Sequence, residues 1–394
     1  MNNTPLLIGI DGGATKVSAR TIQQTSDGFS LDSNQSEKTY STFPSFDPEF
    51  SPVDISIQIE EMNSTISLTE SEINQGQAFI HAFAETILEL NSGKEIIIGI
   101  GMPGLKTPDG RGIAAMANGP RMPKFCDELE KSLSDKGIQL AKPIHRLGSD
   151  ADYCGMGEEF AESGLFKSVE NAYYLGGGTG AADALKLDGK LVPLDETKSW
   201  LLKSWEMTNN DNISLERYAS AGGIQSIYSQ YSGKSIPSLN RDKIFPNIIL
   251  DMADQGNKAA VETFSDVSFN LAELLFERIE TCFSGWTNRL GFINPNREAL
   301  SSQHPFIGTT LERIIIGQRL GTLLVSSEGL GVFWEPLVYH LTHLINESDH
   351  LNSTAKSSYL NNDRLNPSLI HISTLRDAPA LGAGIDAVFG IDDY

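Results

Sequence analysis

The sequence predicts an α/β protein made of two related halves, and three observations support this fold class. The 394 residues are enough for two ordinary domains that each bury a core. An apolar strand, a glycine turn and a second strand occur together twice, at 6–21 and at 171–192. Segments with apolar residues at helical spacing separate these units, as expected where strands alternate with helices.

The first half opens with a buried strand over 6–10, and a hairpin partner follows over 16–21. The stretch 23–63 is rich in Ser, Asp, Asn and Pro, which favours a surface excursion of unassigned role. Thr69 and Glu72 have the spacing of a capping box, and the apolar residues after them recur at helical spacing. A core-facing helix is therefore predicted after Thr69.

The next strand covers 95–104 and ends in a Pro-Gly turn, and 144–160 passes from a strand into a helix. We expect Asp152 to cap that helix. Asp188-Gly189 is a second hairpin signal. Helical patterns follow at 248–282, 333–345 and 377–390.

Composition narrows the class of partner. Acidic residues outnumber basic ones 51 to 30, so the formal charge of -21 disfavours nucleic acids and anionic membranes. The three cysteines, Cys126, Cys154 and Cys282, form no CxxC pair, which predicts neither a disulfide framework nor a zinc site. No apolar run approaches the roughly 18 residues of a membrane span. We expect a soluble cytoplasmic protein that binds a small molecule.

Three glycine turns are candidate ligand sites. Asp11 ends the first strand, and Thr15 and Lys16 follow its glycines. A hydroxyl and an ammonium group bond phosphate oxygens, and a carboxylate holds Mg²⁺ through water. The segment 176–180 repeats the glycines and the threonine, while an isoleucine run ends at Gly317. The first turn is a weak signal by itself, because neither GxxxxGK[ST] nor GxGxxG follows the first strand. A structural turn is the alternative for all three, most strongly for Gly317.

Taken together, these segments resemble the ROK family of sugar kinases and related regulators, within the actin, hexokinase and Hsp70 superfamily. The segments that carry the resemblance occur in the family's order and are IGIDGGATK, GIGMPGLKTPDGRGIAAMANGP, GSDADYCGMGEE, LGGGTG, SLERYASAGGI and LRDAPALGAGIDAV. Their collinearity along nearly the whole chain is more specific than any single motif.

The resemblance implies two ribonuclease-H-like (actin-like ATPase) domains, with mixed sheets flanked by helices, around a central cleft. It places a small domain at 1–118 and a large one at 119–377, with a final helix at 378–394 packing back on the small domain. It also implies phosphorylation of a hexose or N-acetylhexosamine, at the 6-hydroxyl, with ATP and Mg²⁺ as cofactors. A homodimer is the family-level expectation.

The resemblance also assigns roles to single residues. It matches Asp11, Gly12, Gly13, Thr15 and Lys16 to a first phosphate loop, Gly178, Thr179 and Gly180 to a second, and Gly317 to the adenosine region. It puts Gly104, Asn118, Ser149, Asp150, Glu206 and Glu216 on the sugar side, with Asp11 as a water-mediated Mg²⁺ ligand. Asp150 is the expected general base, because a carboxylate within hydrogen-bond reach can accept the proton of an attacking hydroxyl.

The chain departs from the family pattern on the sugar side. Ser149 stands where the family has asparagine, and the segment before Glu216 lacks the Glu-x-Gly-His and CxCGxxGC motifs. Glu206 and Trp205 are candidate replacements, the alternative being a solvent-facing glutamate beside a packing tryptophan. These departures keep a second hypothesis open, namely a sugar-sensing or regulatory protein that is catalytically weak and has no DNA-binding domain.

Overall fold

A computed structural model describes residues 4–62 and 64–389. The chain forms two compact units, Met1–Gly164 with Asp377–Tyr394 and Leu165–Arg376. Each unit has its own five-stranded sheet, with parallel and antiparallel neighbours, and its own hydrophobic core. The predicted α/β class with two mixed sheets flanked by helices is therefore confirmed.

The first unit is built around the sheet order β3-β2-β1-β4-β7. Its elements up to residue 164 are β1 (Leu6–Gly12), β2 (Lys16–Thr25), β3 (Gly28–Thr39), α1 (Ile55–Met62), α2 (Glu70–Leu90), β4 (Ile96–Gly101), β5 (Leu105–Lys106), β6 (Ile113–Ala115), α3 (Phe125–Asp135), β7 (Leu147–Gly148) and α4 (Asp150–Phe160). β2 runs antiparallel to β1 and β3, whereas β1, β4 and β7 are parallel neighbours.

The second unit repeats this pattern with the sheet order β10-β9-β8-β13-β16. Its elements are β8 (Ala172–Gly177), β9 (Ala181–Leu187), β10 (Lys190–Val192), β11 (Met207–Thr208), α5 (Glu216–Ala219), α6 (Ala221–Ser232), α7 (Ile236–Arg241), α8 (Pro246–Asp254), α9 (Lys258–Ser284), β12 (Gly291–Phe292), β13 (Arg313–Gly317), α10 (Gln318–Ser327), α11 (Trp334–Glu347), α12 (Ser353–Tyr359), β14 (Leu360–Asn361), β15 (Arg364–Leu365) and β16 (Ile370–Ile372). β9 is antiparallel to its neighbours, and β8, β13 and β16 are parallel. The two halves share one topology, as the repeated strand and turn pattern predicted.

The predicted surface excursion at 23–63 contains regular structure. It holds the end of β2, the edge strand β3, a short 3-10 helix at Tyr40–Thr42 and α1. The buried Gln58 of α1 donates to the carbonyl of Met116 and accepts from its N–H group at 2.7 Å. Asn63, at the end of this stretch, lies outside the described residues.

The capping box predicted at the start of α2 is confirmed. Glu72 N–H donates to the Thr69 hydroxyl at 3.1 Å, and Thr69 N–H donates to the Glu72 carboxylate at 3.0 Å. The same carboxylate accepts two bonds from the buried guanidinium of Arg121, at 2.7 and 2.8 Å. The cap therefore also anchors the chain that follows β6.

The last described helix, α13 (Ala378–Phe389), packs on β1 and β4 of the first unit. Residues 390–394 of the predicted final helix lie outside the described residues. The helix approaches the sheet so closely that a Cβ added at Gly99 would lie 1.7 Å from the carbonyl oxygen of Ala383. A glycine is needed at this crossing because no side chain fits.

The first unit extends beyond residue 118, where the sequence placed the domain boundary. Residues 119–164 carry α3, β7 and α4. β7 pairs with β4, and α4 packs against α13, so both belong to the first sheet and its helical layer. A two-residue strand such as β7 has too short a pattern to be assigned to a sheet from sequence.

The longest helix, α9, crosses the core of the second unit and carries three buried charged residues, Glu277, Arg278 and Glu280. Neither this helix nor any other within residues 4–62 and 64–389 has the length and apolar composition needed to cross a membrane.

Candidate active site

The glycine hairpin between β1 and β2 presents backbone donors at an exposed tip. The turn closes with a bond from Gly13 N–H to the Lys16 carbonyl at 2.9 Å. Ala14 and Thr15 are exposed, and no other described residue accepts from their N–H groups. Free N–H groups on a glycine turn are suitable donors for an anion.

Tyr40 holds this hairpin in place. Its hydroxyl donates to the Gly13 carbonyl at 3.0 Å, and its N–H group donates to the Thr15 carbonyl at 3.1 Å. Burial, assisted by the charge of Asp11, holds the pKa of Tyr40 well above its usual value. The hydroxyl therefore stays protonated and keeps donating across the ordinary pH range.

Asp11 lies at the end of β1 in an acidic environment. Burial raises its pKa to about 6, the carboxylates of Asp150 and Asp377 raise it as well, and Lys16 lowers it. The Lys16 ammonium itself pairs with Glu37 across β2 and β3 at 2.5 Å. A partly buried carboxylate close to two other carboxylates favours a bound cation.

The sheet brings Asp11 and Asp150 to the same edge. Asp11 pairs with Gly101 on β4, which pairs with Gly148 on β7, so Asp11 and Gly148 are two strand spacings apart, about 10 Å. Asp150 follows Gly148 by two residues and begins α4. The carboxyl ends of parallel strands are where open α/β sheets bind ligands.

Asp150 is exposed at the first position of α4, and its described hydrogen bond is local, from the N–H group of Ala151 at 3.0 Å. The structure caps this helix with Ser149. The prediction that Asp152 is the cap was wrong. Asp152 N–H donates to the Ser149 hydroxyl at 3.1 Å, and that hydroxyl donates to the Asp152 carboxylate at 2.7 Å. Both caps fit the same sequence, and the start of the helix one turn earlier decides between them.

The loop around β5 and β6 carries the two other sugar-side residues predicted for the first unit. Asn118 is exposed on the turn that follows β6. Gly104 has a φ of +93°, and a Cβ there would lie 2.5 Å from the Ala115 carbonyl oxygen. The conformation explains Gly104 without a ligand, so its role in sugar binding stays a prediction.

The second glycine hairpin, between β8 and β9, repeats the first. Gly178 N–H donates to the Gly180 carbonyl at 2.8 Å, and Thr179 and Gly180 are exposed. Ala221, at the start of α6, donates to the Gly178 carbonyl at 3.0 Å. Glu216 accepts from the N–H group that follows Gly180 at 2.9 Å. Glu216, predicted on the sugar side, therefore also holds the second hairpin.

A cavity of about 550 Å³ lies next to this hairpin in the second unit. Its lining includes Gly177, Phe245, Asn247, Arg319 and Leu320. A volume of this size suits a small molecule such as a nucleoside, and the lining combines apolar surface with a few polar groups.

Gly317 has a packing reason for lacking a side chain. A Cβ there would lie 2.3 Å from the hydroxyl oxygen of Tyr174, in the same unit. Gly317 is not among the described lining residues of the cavity, whereas Arg319 and Leu320 of the following helix α10 are. The structural alternative given for Gly317 fits this packing, and a contact between Gly317 and adenosine stays a prediction.

Glu206 is nearly buried, at 9% exposure, and its carboxylate accepts from the N–H group of Lys203 at 3.2 Å. This local bond caps a short 3-10 helix at Ser204–Glu206. Trp205, by contrast, is 45% exposed. The alternative of a solvent-facing glutamate beside a packing tryptophan is therefore reversed in the structure.

Sequence reasoning missed four residues that the fold places at these features. Asp377 belongs to the acidic surroundings of Asp11 and pairs with Arg20 at 2.7 Å. Phe245, Asn247 and Arg319 line the cavity. Asp377 could have been found from its place in the quoted tail motif, whereas the lining residues carry no local signal.

A metal at this site would have few protein ligands. Within residues 4–62 and 64–389, no group of three or more His, Cys, Asp or Glu side chains is arranged to hold an ion. Mg²⁺ usually keeps several waters and binds through one or two carboxylates plus phosphate oxygens. Asp11, with its raised pKa, fits that mode of binding.

Neither protein-family profiles nor curated proteins match the chain. Solved structures match over nearly its whole length. A ROK family glucokinase from Streptomyces griseus, in complex with glucose and AMPPNP, has 15% identity and a TM-score of 0.55, covering 97% of this chain and 98% of its own. The glucokinase of Parabacteroides distasonis has 15% identity and a TM-score of 0.55, covering 98% of both chains.

A ROK family transcriptional regulator, a homolog of the E. coli MLC protein, also matches. It has 12% identity and a TM-score of 0.52, covering 98% of this chain and 80% of its own. The fold is therefore that of the ROK family sugar kinases, and the same fold also occurs in a regulator.

Proposed function

We propose that the chain is a ROK-type sugar kinase that transfers the γ-phosphoryl group of ATP to a hydroxyl of a hexose or N-acetylhexosamine. The observation that carries the proposal is the pair of Asp11 and Asp150 at the carboxyl edge of one sheet, beside a glycine hairpin with free N–H groups. Carboxylates and oriented backbone donors at one edge suit phosphoryl transfer, which depends on positioning and charge stabilisation.

Each unit carries groups that suit the phosphoryl donor. In the first unit, the N–H groups near Thr15 would bind phosphate oxygens. In the second unit, the N–H groups near Thr179 would bind phosphate oxygens, and the cavity beside Arg319 would take the nucleoside. Asp11 would hold Mg²⁺ through water, and the bound ion would neutralise negative charge on the phosphates.

Asp150 would act on the acceptor. Its carboxylate accepts the proton of the attacking hydroxyl while the new oxygen–phosphorus bond forms and the bond to the ADP oxygen breaks. The 6-hydroxyl is the proposed acceptor, because a primary alcohol is the least crowded hydroxyl of a hexose. Asn118, which is exposed on the turn that follows β6, is proposed to orient the sugar.

The test is a coupled ADP-release assay with ATP, Mg²⁺ and a panel of hexoses and N-acetylhexosamines. Asp150→Asn should lower turnover about 100-fold or more, because the amide cannot accept the proton. Asp152→Asn, in the same helical turn, is the matched control and should retain most activity, since its role is in the cap. If no sugar stimulates ADP release, the kinase assignment fails, and an Asp150→Asn variant as active as the parent would contradict the role of Asp150 as the base.

A sugar-binding regulator is the second candidate, favoured by two observations on the sugar side. The Ser149 hydroxyl is hydrogen-bonded to Asp152 in the cap of α4. The Glu206 carboxylate is nearly buried and accepts a bond from Lys203 N–H in the cap of the short 3-10 helix. Calorimetry of the same sugars, with and without ATP and Mg²⁺, separates the candidates. Sugar binding without turnover would support the regulator.

A further inference from the structure

Trp205 is the exposed residue in an otherwise buried segment of the second unit. Residues 204–208 are buried except for Trp205, whose exposure is 45%. The other tryptophans are more buried, with Trp200 and Trp286 at 5%. A large aromatic side chain thus projects from a loop that is itself part of the core.

Backbone and side-chain bonds fix this loop on both sides of Trp205. The Ser214 hydroxyl donates to the Trp205 carbonyl at 3.0 Å, and Ile293 N–H donates to the Glu206 carbonyl at 2.9 Å. The Glu206 carboxylate accepts from Lys203 N–H, which caps the short helix. The backbone that carries the indole is therefore held in one position, which lowers the cost of ordering this loop when a ligand binds.

Asp183 also holds the loop, through two hydrogen bonds to Ser204. It lies on β9, three residues after Gly180, and is 2% exposed. Its Oδ2 accepts from the N–H group of Ser204 at 3.0 Å and from the Ser204 hydroxyl at 2.7 Å. Its Oδ1 accepts from the hydroxyl of Tyr173 and from Arg278 at 3.3 Å. The second hairpin and the tryptophan loop are thus joined by one buried carboxylate.

The positive charge of Arg278 compensates the buried negative charge of Asp183. Arg278 is fully buried on α9, and its guanidinium pairs with Glu277 at 2.9 Å as well as with Asp183. Buried ion pairs add little net stability compared with apolar packing. We therefore explain the pair of Asp183 and Arg278 by the position that it gives to Ser204, and not by a contribution to the free energy of unfolding.

A pocket of about 280 Å³ in the same unit includes Ser214, Glu216 and Arg217 in its lining, and Ser214 is bonded to the backbone of Trp205. Ser214 links the two features, because its hydroxyl bonds the Trp205 carbonyl. Glu216 and Arg217 supply charged groups that can bond sugar hydroxyls, and an indole supplies a flat apolar face. Such a combination suits a sugar ring, which has polar edges and an apolar face.

We propose that Trp205 is an acceptor-binding residue on which the apolar face of the sugar stacks, and that Asp183 is the positioning residue that holds it there through Ser204. This inference rests on the proposed function, in that it takes the acceptor to be a sugar. It assigns the sugar contact to Trp205, whereas the Glu206 carboxylate caps the short 3-10 helix that carries this residue.

The binding test uses the full chain, with glucose, mannose, N-acetylglucosamine and N-acetylmannosamine as probes. A bound sugar should change the tryptophan emission in a saturable way, because Trp205 is the most exposed indole. Trp205→Phe should remove that change and keep part of the affinity, and Trp205→Ala should weaken calorimetric affinity about tenfold, equivalent to about 1.4 kcal/mol. Unchanged affinity in Trp205→Ala would overturn the inference.

The positioning role is tested with Asp183→Asn and the milder Ser204→Ala. Both should raise the acceptor KM, Asp183→Asn by about tenfold, while the ATP KM stays within about twofold. The matched control is Glu280→Gln, which removes a buried carboxylate on α9 that bonds Thr287 and Ser348 instead of the tryptophan loop. It should lower the melting temperature without changing the acceptor KM.

The outcomes separate this inference from the proposed kinase activity. Sugar binding that depends on Trp205 without ADP release would refute the kinase and support the inference, with calorimetric affinity then replacing KM for the Asp183 variants. ADP release with an acceptor KM that is unchanged in Trp205→Ala would support the kinase activity and refute the role of Trp205 in binding the acceptor. An equal effect of Asp183→Asn and Glu280→Gln on acceptor affinity would refute the positioning role, because both would then act through stability alone.

Discussion

Asp11 combines a proposed functional role with a cost to folding. Its pKa of about 6 in the folded protein exceeds the ordinary value of 3.8, chiefly because of burial. Folding therefore favours the protonated form, so stability is highest below the ordinary pKa. It falls as pH rises from about 4 to about 6, because the carboxyl is then ionised in the unfolded chain but still protonated in the folded protein, and it levels off above about 6. At neutral pH the penalty amounts to at most about 3 kcal/mol.

We therefore expect Asp11→Asn to stabilise the metal-free protein above pH 7, by up to about 3 kcal/mol. The gain should shrink as pH falls toward 4. Urea unfolding at several pH values, in buffer with a chelator, measures this. Asp251→Asn, at an exposed position on α8, serves as the control. A destabilised Asp11→Asn protein at pH 8 would show that the carboxylate is stabilised by contacts that outweigh its burial.

Single residues also show where sequence reasoning was sufficient. The glycine and threonine residues of both hairpin turns were recognised from the sequence, and Thr15 and Thr179 are exposed at the two tips in the structure. The proximity of Asp377 to Asp11 was not evident, because it depends on α13 packing against β1, more than 360 positions along the chain.

Among the elements, the contact of α13 with β1 and β4 is the least tolerant of change. A Cβ at Gly99 would lie 1.7 Å from the Ala383 carbonyl oxygen, a backbone atom that cannot rotate away. We expect Gly99→Ala to destabilise the protein by about 3 kcal/mol or more, since the helix must move off the sheet. Thermal unfolding followed by circular dichroism measures the loss.

Gly76→Ala is the matched control for this prediction. Gly76 lies within α2, and the nearest atom to an added Cβ is the Met122 Cγ at 3.3 Å, on a flexible side chain. Alanine also favours the helix by about 1 kcal/mol relative to glycine. The control should therefore unfold close to the parent temperature. Similar losses in both variants would mean that the close approach at Gly99 is not the cause.

The elements differ in how well the sequence predicted them. The capping box of α2 and the hairpin turn at Asp188-Gly189 depend on neighbouring residues and were predicted correctly. β3 was missed because it is an edge strand with mostly polar or exposed residues, which gives no apolar alternation. The cap of α4 was misplaced because Ser149 and Asp152 are both good cap residues.

At the scale of the whole molecule, the second unit is an insertion into the first. It is continuous from Leu165 to Arg376, and its core residues all come from this range. The first unit is completed by α13, which follows the insertion. A continuous segment with its own sheet and core meets the requirements of an autonomous domain.

We expect a fragment of residues 165–376 to fold alone, with a cooperative urea transition and dispersed amide resonances. A chain that ends at 376 should lose the cooperative transition of the first unit, because α13 no longer covers β1 and β4. If the isolated fragment showed a broad, non-cooperative transition, its stability would depend on the first unit.

The sequence by itself determined the α/β class, the repeated hairpins, the first capping box and the order of the motifs. All of these are local patterns, because strand alternation, helical spacing and turn chemistry extend over a few residues. The tertiary structure decided that the charge of Asp377 acts on Asp11, that Asp183 holds Ser204, and that Phe245 and Arg319 share a cavity. Such contacts join residues that are separated in the sequence, and packing within each unit brings them together.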